Sequence, residues 1–165
     1  METKVTVVRH GETQWNAEGR IQGHQLVGLN RRGIQQAVAV AKRLLAESFG
    51  TLYSSDLPRA METAREISKT TGKEILPDSR LREWNLGILE GLASEEAEEN
   101  FPEVYTAFRT EIPDYVIPEG ESIRQRHERA VACIQDLALR HIGCEVVVVS
   151  HGGVLDDLYR FAMDI

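Results

Sequence analysis

Residues 145–153 read EVVVVSHGG, and this stretch decides the fold. Four consecutive valines between Glu145 and Ser150 leave no polar face, so the segment is expected to be a central strand covered on both sides. Such a strand belongs to a parallel sheet with helices packed against both faces. It runs into Ser150-His151-Gly152-Gly153, and a helix is expected from Gly153 onward. The start of the chain repeats the pattern, with Lys4 to Val8 a short buried strand that ends at Arg9-His10-Gly11. Between these two lie further strands and helices in alternation. Asn30 is placed to cap a helix whose stripe holds Ile34, Ala37, Val38, Ala41, Leu44 and Leu45, closed by Gly50. Thr51 to Ser55 is the second strand, and Asp56 caps a helix that tolerates Pro58 in its first turn and runs to Gly72. Glu74 to Leu76 is a third strand, and Ser94 to Thr110 is helical with a break at Pro102. After the Pro113 to Glu121 loop, Ser122 opens a long helix with Ile123, Ala130, Val131, Ile134, Leu137 and Ala138 inward. The expected class is α/β: a three-layer α/β/α sandwich around a mostly parallel sheet.

The 165 residues fit a single domain, and no repeat, low-complexity tract or linker divides them. A net charge of −7 argues against a nucleic-acid partner. The longest aliphatic run, Val146 to Val149, is far too short to span a bilayer, and no signal-peptide core precedes Arg9. Cys133 and Cys144 form no disulfide framework and no metal-ligand spacing, which points to free thiols in a cytoplasmic protein. The charge is unevenly spread. Residues 1–60 carry 8 basic and 5 acidic groups, whereas Glu83 to Glu121 carry 11 acidic groups and one cation, Arg109. That acidic insert, about residues 84–121, is expected to form a cap over one end of the sheet.

Open α/β sheets place their ligands at the carboxyl ends of the strands. There the first strand delivers Arg9, His10 and Gly11; the second delivers Ser54, Ser55 and then Arg59 in a helix's first turn; the late strand delivers His151, Gly152 and Gly153. Arginine forks and free backbone N–H groups at helix starts match phosphate oxygens. Singly, each residue has an ordinary structural explanation, such as a turn histidine or an ion-paired arginine. Together they describe a phosphate site containing two imidazoles. His24 sits in a loop near the same rim as a weaker candidate, while His127 and His141 on the long helix are expected to be solvated or core histidines. No metal is assigned.

Arg9-His10-Gly11-Glu12-Thr13, followed by Trp15-Asn16, Glu18, Arg20 and Gln22-Gly23, resembles the signature of the histidine phosphatase superfamily in its phosphoglycerate mutase-like branch. Ser55-Asp56-Leu57-Pro58-Arg59-Ala60, Leu81-Arg82-Glu83, Glu119-Gly120-Glu121-Ser122 and Ser150-His151-Gly152-Gly153 follow in family order, covering Val5 to about Leu155. The resemblance implies a covalent phosphohistidine mechanism. His10 would attack phosphorus as a neutral imidazole, kept unprotonated by the arginines around it. Arg9, Arg59 and His151 would hold the phosphoryl oxygens, with Asn16 and the Gly152 N–H as neutral donors. Glu83 would protonate the leaving oxygen and then activate water. Gln22 and Gly23 match positions at the entrance. The loop after them departs from the family pattern, with Leu26 where an Asp is common and Gly28-Leu29-Asn30 in place of Pro-Leu-Thr. The chain also stops soon after its last block, so a C-terminal edge strand of the family is expected to be missing.

These implications lead to a phosphomonoester hydrolase acting on a small phosphorylated metabolite, without cofactor, nucleic-acid or membrane partner. A homodimer is an allowed assembly. Two alternatives stand beside it: a cofactor-dependent phosphoglycerate mutase, and a non-catalytic phosphate-binding module. The complete set His10, Glu83 and His151 speaks against the module. Against the mutase stands a cap with Arg109 as its one cation, beside Phe101, Tyr105, Phe108, Ile112 and Tyr115. Such a cap suits a less anionic or more apolar leaving group.

Overall fold

The computed structural model describes residues 2–165. Strands β1 (Lys4–Arg9), β2 (Thr51–Ser54), β3 (Ile75–Pro77) and β4 (Glu145–Ser150) form one parallel sheet in the order β1-β4-β2-β3. The valine run is therefore an inner strand, as its composition requires. Val147 and Val149 point to one face and Val146 and Val148 to the other, all essentially inaccessible to water. Burying a valine fully is worth about 1.5–3 kcal/mol, so this strand anchors both layers.

Helix α1 (Gln14–Ala17) follows β1 and was not anticipated; it is one turn closed by a Thr13–Asn16 capping box. Next come α2 (Arg31–Leu44) and α3 (Pro58–Thr71), which cover the Val147–Val149 face through Ala41, Leu44, Ala60, Ala64 and Ile67. Asn30 caps α2 as expected, its side chain accepting from the Gly33 N–H at 2.8 Å. The inward stripe of α2 is narrower than predicted: Ile34 and Leu45 are exposed, and Gly33, Ala37, Ala41 and Leu44 are the buried set. Glycine is required here because a Cβ on Gly33 would overlap the Glu12 carbonyl, and one on Gly11 would overlap the Gly33 carbonyl. The start of α2 thus packs directly on the Arg9–Glu12 loop.

Asp56 does not cap α3. The N-cap is Leu57 without a side-chain bond, and Pro58 at the first position removes one of the donors that would need a partner. Asp56 is instead engaged by Arg82, with both oxygens 2.6 Å from the guanidinium. That ion pair ties the second strand's loop to the Glu83 segment. Other boundaries shift by a residue: β2 stops at Ser54, β3 is displaced to Ile75–Pro77, and the last helix begins at Gly152.

Two short helices, α4 (Ser94–Asn100) and α5 (Pro102–Arg109), meet at the predicted break. With the loops around them they close a separate apolar cluster of Ile21, Trp84, Leu86, Leu89, Ala97 and Ile117 over one end of the sheet. The long helix α6 (Ile123–Arg140) has its predicted Ser122 cap and packs Cys133 and Leu137 against Leu81, Val146 and Val148. Helix α7 (Gly152–Met163) follows β4 directly. Helices on both faces of a parallel sheet make the three-layer α/β/α fold. Among the described residues no helix is long and apolar enough to cross a membrane.

Candidate active site

Strand register brings the site together. Arg9 pairs with Ser150 across β1 and β4, and Ser54 with Val149 across β2 and β4, so three strands end side by side. The ladder extends one residue further on each side, with His10 N–H donating to Ser150 O and Ser55 N–H to Val149 O, both at 2.9 Å. His10, Ser55 and His151 are consequently neighbours despite their separation in sequence. The His10 and His151 rings lie 5.0 Å apart at 59°.

Both imidazoles are defined by their hydrogen bonds. His10 Nδ1 is 2.6 Å from the Gly11 carbonyl, which can only accept, so Nδ1 carries the proton and Nε2 keeps its lone pair. Burial holds the His10 imidazole down at about 4; the Gly11 carbonyl opposes this, and the Arg59 and Arg9 charges add to it. The neutral ring expected from the sequence is present, but its main cause is burial and the arginines come second. His151 is lowered well below the ordinary histidine value, again by burial first and then by Arg59 and His10. Its Nε2 is 2.7 Å from Ser55 Oγ, and that oxygen also receives the Leu57 N–H at 3.3 Å. Ser55 Oγ has no other acceptor for its own hydrogen among the described residues, which assigns that hydrogen to His151 Nε2. That leaves Nδ1–H as a buried donor without a protein partner.

Arg59 is fully buried at the start of α3 and held by two carbonyls, Nη2 donating to Gly23 at 2.7 Å and Nη1 to Gln25 at 3.1 Å. Burial lowers it to about 10, while Glu83 and Glu90 pull the other way. It stays charged at neutral pH, and its Nε has no partner. Arg59 Nε and the His151 ring are two orphaned donors of the kind a bound oxyanion satisfies. Arg9 is exposed at the end of β1 and lies against Gly152, where a Cβ would stand 3.5 Å from the guanidinium carbon.

Arg9, His10, Asn16, Gln22, Gly23, Arg59 and Glu83 line one cleft of about 260 Å³, together with Trp84, Phe108, Arg126 and Gly153. His151 and Gly152 stand just behind it. Asn16 Oδ1 is occupied by the Thr13 N–H and hydroxyl, both at 3.1 Å, so its amide nitrogen is the free end. Gln22 Oε1, at 2.8 Å, shares that single Thr13 hydroxyl hydrogen with Asn16 and is its nearer acceptor. Three guanidiniums face the cleft against one carboxylate, an anion site in a protein of net charge −7.

That carboxylate is held firmly. Glu83 Oε1 accepts from the Trp84 N–H at 2.9 Å and Oε2 from the Gly153 N–H at 3.1 Å, in the first turn of α7. Arg129 fixes the backbone beneath it, donating to Arg80 O at 2.7 Å, Arg82 O at 2.9 Å and Glu83 O at 3.3 Å. His24 also contributes, its Nε2 lying 2.7 Å from the Glu83 carbonyl. The rim histidine thus braces the carboxylate's backbone. Sequence reasoning missed Arg126 and Arg129, and it placed Ser55 at the rim without a role toward His151. For Arg126 a signal existed: it shares the inward stripe of α6 with Ile123 and Ala130, where a charge calls for an explanation. Arg109, the cap's one cation, is exposed at the end of α5 and does not line the cleft.

The family model for the histidine phosphatase superfamily (branch 1) matches residues 5–165. The chain belongs to the histidine phosphatase superfamily. Among curated relatives, phosphoglycerate mutase-like protein 4 of Arabidopsis thaliana is 48% identical over 162 residues, covering 96% of this chain and 70% of that protein. A metal-independent phosphoserine phosphatase of the same plant is 45% identical over 160 residues, covering 95% and 67%. Among solved structures, Bacillus stearothermophilus YhfR superposes with a TM-score of 0.93 at 36% identity, over 98% of this chain and 80% of that one. Mycobacterial glucosyl-3-phosphoglycerate phosphatase, solved in complex with VO3, gives 0.87 at 31% identity over 96% and 81%. Several relatives of this histidine phosphatase chain are thus phosphatases by name.

Proposed function

We propose that the chain hydrolyses phosphate monoesters through a phosphorylated His10. The observation that carries this is the tautomer: Nδ1–H tied to the Gly11 carbonyl leaves a neutral Nε2 nucleophile in a cleft of guanidiniums, with Glu83 across from it. In the first step Nε2 bonds to phosphorus while the ester P–O bond breaks and Glu83 gives the leaving oxygen its proton. Arg9, Arg59 and His151 Nδ1–H hold the phosphoryl oxygens as charge spreads onto them, and the Asn16 amide and Gly152 N–H add neutral donors. In the second step Glu83 takes a proton from water, whose oxygen attacks phosphorus, and inorganic phosphate leaves neutral His10 behind.

The substrate is a small phosphorylated metabolite, in keeping with relatives named for phosphoserine and glucosyl-3-phosphoglycerate. The free thiols Cys133 and Cys144 fit a cytoplasmic setting. A mutase reading draws on the relative named phosphoglycerate mutase-like. A panel of phosphate monoesters, assayed with and without 2,3-bisphosphoglycerate, separates the two. Release of inorganic phosphate without the bisphosphate supports the hydrolase; transfer to a second hydroxyl that requires it overturns the hydrolase in favour of the mutase.

A further inference from the structure

We propose that Arg126 selects substrates whose leaving alcohol carries a carboxylate next to the phosphate ester, an assignment that rests on the phosphatase reading above. Arg126 enters the cleft from α6, outside the acidic cap. Its side chain is 9% exposed, and Nε and Nη2 donate to the carboxylate of buried Asp157 at 2.6 and 3.0 Å. The guanidinium also stands 5.2 Å from the centroid of the Trp84 ring. An ion pair on one side and an aromatic face nearby fix its plane, so binding a ligand there costs little side-chain entropy.

The remaining edge is unused. Arg126 Nη1 has no hydrogen-bond partner among the described residues, although the group is nearly buried. It lies 2.5 Å from the point where a Cβ on Gly153 would stand, and Glu83 Oε1 lies 2.5 Å from the same point. The free donor edge and the proposed proton donor are therefore neighbours. Glu83 must reach the ester oxygen, so Arg126 meets substituents a few bonds beyond that oxygen, where the carboxyl carbon of a 3-phospho acid lies three bonds away. Arg9 and Arg59 serve the phosphoryl group and leave this third guanidinium for the leaving group.

Asp157 behind the guanidinium offsets its net charge, so what it offers is direction: parallel N–H donors beside a water-excluding wall of Trp84 and Phe108. A carboxylate accepts two such bonds at once with charge assistance, whereas a hydroxyl accepts one without it.

Two substrate pairs isolate the carboxylate: O-phosphoserine against O-phosphoethanolamine, and 3-phosphoglycerate against glycerol 3-phosphate. In the wild-type enzyme the carboxylate member of each pair should have the higher kcat/KM. Replacing both partners, Arg126→Met with Asp157→Asn, leaves no lone buried charge and should lower that ratio roughly 10- to 100-fold, mainly through KM. Arg126→Lys keeps the charge, loses the fork and should lower the ratio part of the way. Because each enzyme is compared with itself on two substrates, a general loss of activity cancels. Equal kcat/KM for both members in the wild type, or an unchanged ratio in a folded double variant, overturns the assignment and leaves the phosphatase reading standing. Failure to hydrolyse any ester of the wider panel overturns that reading itself.

Discussion

Lowering the pH should destabilise the fold through His10 by an amount that can be worked out. The imidazole is held at about 4, against 6.5 for an ordinary histidine, chiefly because burial penalises the imidazolium. Between those two values the unfolded chain binds a proton at this residue and the folded chain does not. Stability is therefore constant with respect to His10 above about 6.5 and is lost as the pH falls toward 4. Each pH unit is worth about 1.4 kcal/mol, so the loss is about 3 kcal/mol, a large fraction of a typical ~5–15 kcal/mol stability. His10→Asn removes the titration and keeps a donor for the Gly11 carbonyl. Urea unfolding of both proteins at pH 7 and pH 4 gives the comparison, since His151 and the surface groups contribute to each. The wild type should lose about 3 kcal/mol more than the variant over that interval. Parallel losses, or an NMR titration of His10 near 6.5, would refute the argument that burial keeps the nucleophile neutral.

Three further outcomes are expected. Glu83→Gln should slow alkyl phosphate hydrolysis by ~10²–10⁴-fold in single-turnover phosphorylation of the enzyme, and nitrophenyl phosphate far less, because nitrophenolate leaves without a proton; equal losses would mean that Glu83 only positions the site. Gly153→Ala places a methyl group 2.5 Å from both Glu83 Oε1 and Arg126 Nη1, so kcat/KM should fall about 100-fold with a retained circular dichroism spectrum, and wild-type rates would contradict the packing. Activity should persist in excess chelator, since the arginines supply the positive charge, and vanadate should compete with substrate for the cradle of Arg9, Arg59 and His151; loss on chelation restored by one metal would overturn this chemistry.

Much of the fold was legible because its signals are local. Val146 to Val149 have one physical use, a strand covered on both faces, and Asn30 and Ser122 act as caps where their side chains suggested. Asp56 looked like a third cap and was not, because Arg82 competes for its carboxylate across the fold. The catalytic candidates were legible because they follow strand ends directly, and register alone brings them together. The supports were not. Arg129 reaches three carbonyls 46 to 49 residues away in sequence, and Ser55 acts on His151 from 96 residues away. Spacing carries no trace of such contacts. Arg126 lies between these cases, visible as a charge on an apolar helix stripe but meaningful only once Asp157 and Glu83 are seen beside it.

The central claim is a covalent bond between phosphorus and His10, and rapid-quench labelling tests it most directly. Wild-type enzyme mixed with a ³²P-labelled phosphate monoester should acquire acid-labile, base-stable label within one turnover, and peptide mapping should place it on the segment containing His10. Folded His10→Ala protein should acquire none. Label that persists in that variant, or turnover in wild type without any labelled enzyme, would contradict the account.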